Sequence, residues 1–181
     1  MTSAFEIRPA TADDGEAIVD AIIAAADWDG ERGVSRAEIE KQYWFWKYGV
    51  DWMRQTDLGV VALVSGAPVG AAWVRYFAAE DAGFGYVHDD IPELTMGLHA
   101  DHRGRGIGAA LLSRLLTLAR EVGIPAISLS VEDGNTRART LYQRNGFVVV
   151  GRFGESDTMV RRLQGSESPF SPTVAVTKIG M

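Results

Sequence analysis

The sequence predicts a mixed α/β or α+β fold, and three observations carry that expectation. Apolar residues recur with a helical period in several segments, turn-bounded β-forming runs lie between them, and a glycine-rich turn leads one such run straight into the longest helical pattern. With 181 residues, 46% of them hydrophobic and 23% charged, the chain can bury a sizeable core but is short for two full domains. The expected order is β-α-α-β-β-β-α-β-α-β-β within one domain over residues 1–163, followed by a tail or an extra edge strand over 164–181.

Each element has a local reason. FEIRP reads as a short strand, and TADDGEAIVDAIIAAA as a helix with Thr11 as N-cap and Ile18, Ala21, Ile22 and Ala25 on one face. SRAEIEKQYWFWKYG opens with Ser35 and Glu38 at capping-box spacing, which predicts one second, unusually aromatic helix. VVALV and VGAAWVRYF flank SGAP and predict an antiparallel hairpin. The polar segment AAEDAGFGYVHDDIP reads as a loop and ELTMGL as a strand. A helix follows from about Gly106 to Glu121, with Ile107, Leu111, Leu115, Leu118 and Val122 in helical period and Gly123 and Pro125 ending it. AISLSV alternates as a strand, NTRARTLYQRNG is a shorter helix capped by Asn135 and stopped by Gly146, and FVVVGRF and TMVRRL form a last strand pair around GESD. VAVTKI is the candidate extra strand of the tail.

Composition excludes several function classes. A formal charge of -6 argues against broad nucleic-acid binding, which needs a basic face. No apolar run approaches the roughly 18 residues that span a membrane, and MTSAFEIRPA lacks the features of a signal peptide, so a cytoplasmic protein without membrane partners is expected. The absence of cysteine removes disulfides, thiolate metal sites and a cysteine nucleophile. His99 and His102 stand three apart with Asp101 between them, but no further close ligand completes a set, so no metal is expected. No G-x-S-x-G elbow is present, which leaves a serine hydrolase unsupported.

The informative stretch is HADHRGRGIGAALL, residues 99–112, where Gly104, Gly106 and Gly108 interleave with Arg103 and Arg105 ahead of a helix. A strand, a glycine turn and a helix start leave several main-chain N–H groups without intrahelical partners and aim them at one spot. Glycine admits a bulky anion to the main chain and arginine adds charge-assisted hydrogen bonds, so a diphosphate is the expected guest. A tight turn with solvated arginines is the plainer alternative. A Walker loop fails, because Gly108 is followed by Ala109 and Ala110 and not by Lys and Ser or Thr. Gly104, Gly106 and Ala109 satisfy the dinucleotide fingerprint, but ADHR separates them from the strand and only one further strand-helix-strand passage follows.

Arg103, Gly106 and Gly108 match R/Q-x-x-G-x-G/A. From ELTMGLHADHRGRGIGAALLSRLLTLAREVG through LSVEDGNTRARTLYQRNGF, the chain resembles the GNAT superfamily of acetyl-CoA-dependent N-acetyltransferases, most strongly over residues 93–152. The element order is also that of the family, which implies a mixed, mostly antiparallel central sheet flanked by helices.

The resemblance implies that main-chain amides from Arg103 through Gly104, Arg105, Gly106 and Ile107 to Gly108 cradle the pyrophosphate of coenzyme A. Leu98, His99 and Ala100 fall where family members pair a splayed strand with the pantetheine arm, and the Leu98 N–H would polarise the thioester carbonyl, a role indifferent to the side chain. Asn135 matches a position that often contacts the cofactor; its other reading is a helix cap. Tyr142 matches the tyrosine that protonates the departing thiolate, a role open to a phenol of pKa about 10 beside a thiol of about 8.5. Its other reading is a core aromatic beside Leu141 and Phe147. Glu93 lies near where several members carry a glutamate base; its other reading is a solvated strand end. Glu132 and Asp133 are reserve candidates for that base.

In this family the first two helices and the hairpin wall the acceptor site, which directs attention to Trp28, Tyr43, Trp44, Trp46, Tyr48 and Trp52, as acceptor pocket or as core. The acidic loop EDAGFGYVHDD would either draw in a cationic acceptor or be solvated. The expected activity is acetyl transfer from acetyl-CoA to a primary amine of a small molecule or peptide by direct attack, since no cysteine is present to carry the acyl group. A non-catalytic acyl-CoA-binding sensor and a nicotinamide-nucleotide domain are the alternatives. The family often pairs through its last strands, so a homodimer is compatible with the resemblance.

Overall fold

The seven strands arise as expected, and the second helix does not. A computed structural model describes residues 5–164, so VAVTKI and its expected strand lie outside the described residues. In chain order the elements are β1 (Glu6–Pro9), α1 (Gly15–Ala26), α2 (Arg36–Lys41), α3 (Tyr43–Trp46), β2 (Leu58–Val64), β3 (Ala67–Arg75), β4 (Glu93–Leu98), α4 (Ile107–Glu121), β5 (Ala126–Glu132), α5 (Thr136–Arg144), β6 (Val148–Phe153) and β7 (Ser156–Arg162). Packing divides the described residues into two compact units, one running up to Arg75 and including Leu94–Val122, the other made of Tyr76–Glu93 and the described residues from Gly123 on.

In the first unit β1 pairs antiparallel with β2 (Ile7↔Ala62) and β2 with β3 (Val60↔Ala72), and β4 follows β3 in strand order. The β2–β3 turn is Ser65-Gly66, both at positive φ (50° and 80°), the backbone that suits the twist of a two-residue hairpin. Helix α1 packs on β3, and α4 on β2 and β3. Ile18, Ile22, Val61, Trp73, Leu111 and Leu115 are buried in its core.

Three local expectations are corrected in this unit. Thr11 does not cap α1 directly: a 3-10 turn over Ala12–Asp14 intervenes, and the Asp14 carboxylate accepts from the Thr11 N–H at 2.7 Å and its hydroxyl at 3.1 Å. The single aromatic helix is two, because Gln42 is extended (φ -101°, ψ 95°) between α2 and α3; an aromatic run gains little from helix geometry and does not enforce continuity. The Ser35–Glu38 capping box is present as read. On α4, Leu112, Leu116 and Ala119 join the buried stripe, whereas Val122, at the C-cap where helical geometry ends, is 63% exposed.

In the second unit β5 pairs antiparallel with β7 (Leu129↔Met159) and β7 with β6 (Val149↔Met159). Glu93, the first residue of β4, pairs in parallel register with Ser128 of β5. The Glu93–Ser128 pair is parallel and the other strand pairs described above are antiparallel, in keeping with a mostly antiparallel sheet. Asp157 on β7 binds Arg139 of α5 and, at 2.7 Å, Arg152 of β6, so an ion network ties the helix to the strands. Among the described residues no helix is long and apolar enough to cross a membrane.

Candidate functional site

The glycine turn is built by a strand that stops and a helix that starts late. After Leu98 the His99 N–H donates to the Val69 carbonyl at 2.9 Å, a 3-10 turn occupies Ala100–His102, and α4 begins only at Ile107. Gly104 (φ 79°) and Gly106 (φ 82°) are left-handed, a backbone that costs an L-residue about 1–2 kcal/mol. The main-chain N–H groups of Gly104 through Gly108 find no acceptor among the described residues. A Cβ placed on Gly106 would meet nothing within 4 Å, so the main chain is approachable there. Consecutive main-chain donors at the positive end of a fifteen-residue helix suit a multiply charged anion.

The two arginines of the turn differ. Arg105 is exposed. Arg103 turns inward: its Nε donates to the Leu98 carbonyl at 3.1 Å, Nη1 to that of Trp28 at 2.6 Å and Nη2 to that of Ala24 at 3.3 Å. Its main-chain N–H donates to the Ala100 carbonyl at 3.1 Å. All of these residues belong to the first unit.

Glu93, Asn135 and Tyr142 belong to the second unit. Glu93 is 3% exposed, which replaces the solvated strand end with a buried carboxylate. Its Oε1 accepts from the Gly85 N–H at 2.8 Å, and a Cβ on Gly85 would lie 2.4 Å from the Leu129 carbonyl carbon. The loop therefore lies directly on β5 at Gly85 and holds one oxygen of the carboxylate. The Ser128 hydroxyl, opposite Glu93 in register, is buried with no hydrogen-bond partner among the described residues.

Tyr142 is 7% exposed and packs edge-on against Phe147, with ring centroids 5.7 Å apart. Burial pushes its phenol up to about 12, so the proton is retained throughout the neutral range. The ring packs as a core aromatic and the hydroxyl stays protonated. Asn135 caps α5: its Oδ1 accepts from the Ala138 N–H at 3.2 Å. In the loop, Asp89 accepts from the Tyr86 hydroxyl at 2.5 Å and the Ala79 N–H at 3.2 Å, so part of the acidic segment is engaged internally.

The six aromatics separate by burial. Tyr48 is buried and its carbonyl accepts from the Trp73 indole at 3.0 Å; Trp52 meets Trp73 edge-on at 6.3 Å and donates to the Thr11 carbonyl. These two are packing residues. Tyr43 and Trp44 are exposed, and Trp28 and Trp46 are half-buried.

Sequence reasoning missed two supports. A Cβ on Gly97 would lie 1.9 Å from the Ala21 carbonyl oxygen, so α1 crosses β4 at main-chain contact distance; a lone glycine within ELTMGL was the available signal. Arg75 and Asp57 form a buried bidentate pair (2.9 and 2.6 Å), and the same guanidinium donates to the carbonyls of Lys47 and Val50, fixing the aromatic segment. Nothing in the local sequence marks that pair.

Comparison with known proteins agrees with this architecture. A mycothiol acetyltransferase of Propionibacterium freudenreichii subsp. shermanii is 32% identical over 66% of this chain and 35% of its own length. The L-amino acid N-acyltransferase MnaT of Escherichia coli is 36% identical over 39% of this chain and 41% of its own length. The chain thus spans well under half the length of these curated relatives. Among solved structures, a PaiA N-acetyltransferase from Thermoplasma acidophilum in complex with coenzyme A (TM-score 0.64, 21% identity, 87% of this chain and 98% of that one) shares the fold. So does the yncA acetyltransferase of Salmonella typhimurium with acetyl-CoA (TM-score 0.63, 24% identity, 92% and 98%). The sequence model of the Acetyltransferase (GNAT) family matches residues 20–147, and by that match the chain belongs to the GNAT acetyltransferases.

Proposed function

We propose that this chain moves an acetyl group from acetyl-CoA to a primary amine of a small molecule or peptide by direct attack. The observation that carries the reading is the run of main-chain N–H groups from Gly104 to Gly108 without acceptors among the described residues, at the head of α4. They suit the diphosphate of coenzyme A, with Arg105 adding charge, and the family resemblance assigns Leu98, His99, Ala100 and Asn135 to the rest of the molecule. Bound acetyl-CoA supplies an activated acyl group.

The chain's own residues then have separate tasks. The Leu98 N–H holds the charge that develops on the carbonyl oxygen. Glu93 accepts the proton lost by the attacking amine, held in position by the Gly85 N–H. Tyr142 donates its proton to the sulfur as the C–S bond breaks. The nitrogen–carbon bond forms, the carbon–sulfur bond breaks, and free thiol and amide leave. The relatives named for mycothiol and for L-amino acids support a small acceptor, and the half of the chain holding α1 to α3 is where we place its binding.

Incubation with acetyl-CoA and a broad amine panel, with thiol release followed, tests the reading, together with melting in the presence of coenzyme A or NADH. Coenzyme A raises the melting temperature and at least one amine releases thiol. Stabilisation by coenzyme A with silence across the panel supports the sensor instead. Stabilisation by NADH alone overturns the assignment of the turn.

A further inference from the structure

We infer that Arg103 is a positioning residue and not a phosphate ligand: it latches the anion-binding turn to the C-terminal end of α1 and to the Trp28 segment beyond it. The inference rests on the proposed binding of coenzyme A at Gly104–Gly108. The last turn of a helix leaves carbonyls without intrahelical partners, and a cation there is doubly favoured, by hydrogen bonding and by the helix dipole. Around the end of α1 the Ile23 carbonyl accepts from Asp27, the Ala26 carbonyl from Arg32, and the Ala24 carbonyl from Arg103. Arg103 also reaches the Trp28 carbonyl just past the helix and, at the other end of its fork, the Leu98 carbonyl that closes β4.

Five donors in a rigid plane let one guanidinium hold three carbonyls at once, which lysine's ammonium on a flexible stem does less well. The close approach at Gly97 makes the latch reachable, because α1 lies directly on β4 one residue before Leu98. With its guanidinium and its N–H both engaged, Arg103 is committed to protein acceptors, and Arg105 is the arginine of the turn left to face an anion. Ordering of the turn by a bound diphosphate is thereby transmitted to residues 24–32, on the arm where we place the acceptor.

Amide hydrogen exchange on the full chain, with and without coenzyme A, tests this, alongside Arg103→Met, Arg103→Lys and Arg105→Met. Coenzyme A slows exchange in wild type both at 104–108 and at 24–32. In Arg103→Met the turn is still protected, protection at 24–32 is lost, the Kd for coenzyme A changes by less than about fivefold, the lower edge of typical site-to-site coupling, and Arg103→Lys restores part of the protection. Arg105→Met weakens coenzyme A binding and flattens its salt dependence. Protection at the turn alone in wild type overturns the latch, and that arm stands even if Arg103→Met fails to fold. Loss of coenzyme A affinity in Arg103→Met with 24–32 still protected also overturns it, making Arg103 a ligand. Absence of protection at both segments, with no heat of binding, overturns the proposed cofactor site itself.

Discussion

Gly104–Gly108 in one unit and Glu93 and Tyr142 in the other differ in what they would bring to the proposed reaction. The glycine segment offers main-chain N–H groups, left-handed at Gly104 and Gly106 and at helix entry in Ile107 and Gly108; Ile107 is buried and Gly108 half-buried, and Arg105 carries the segment's exposed side chain. Glu93 and Tyr142 offer two side chains, both buried and both packed from several sides. Main-chain chemistry depends on conformation and tolerates changes of side chain; side-chain chemistry depends on identity and tolerates little else.

Substitutions that separate conformation from identity break this comparison if it is wrong. The largest effect is expected from Tyr142→Phe, which keeps the ring against Phe147 and removes only the acid. Its kcat falls about 10²–10⁴-fold, the usual range for losing a general acid, while the Kd for coenzyme A is unchanged. Equal turnover would leave Tyr142 a packing residue. Glu93→Gln keeps an oxygen for the Gly85 N–H and loses the charge, so kcat falls about 10²-fold or more with little change in melting temperature; a large loss of stability at full turnover would make Glu93 a loop anchor. Gly106→Val places a β-branched residue at φ 82° with open space around its Cβ. The backbone strain of about 1–3 kcal/mol weakens coenzyme A binding by about 5–150-fold, read by calorimetry, with the kcat at saturation less affected.

The smallest effect is one of pH. Arg139, by its hydrogen bond, and then Arg152 hold the Asp157 carboxyl below its usual value of 3.8, as Arg8 does for Asp14. The folded pKa is depressed, so this stability is present above pH 3.8 and is lost as pH falls through the lower folded values. Denaturant midpoints therefore decline below about pH 4, and Arg139→Met flattens the decline. The raised phenol of Tyr142 acts at the other end: its contribution is full below about pH 10 and is lost as pH rises toward 12.

The same contrast governs what could be read in the sequence. Periodicity and caps announced α4, α5 and the hairpin because helix period, the capping Asn135 and the Ser65-Gly66 turn are local devices. The glycine turn was legible for the same reason: a left-handed backbone is written as glycine spacing. The break at Gln42 was not, since an aromatic run has no period of its own to lose. Nor was the destination of Arg103, whose partners Ala24 and Trp28 lie 79 and 75 residues away in the chain. Glu93 was singled out by the family resemblance as a candidate base, but its burial depends on Gly85 and β5, which no local pattern encodes.

The central claim is that main-chain N–H groups of the glycine turn receive a diphosphate, and its most direct measurement is an amide-resolved NMR titration of the full chain with coenzyme A. The account predicts saturable shifts concentrated at Gly104, Arg105, Gly106, Ile107 and Gly108, reproduced in Leu98→Ala because side chains are not the ligands. Binding with those five amides unmoved, or no binding at millimolar coenzyme A, would contradict it.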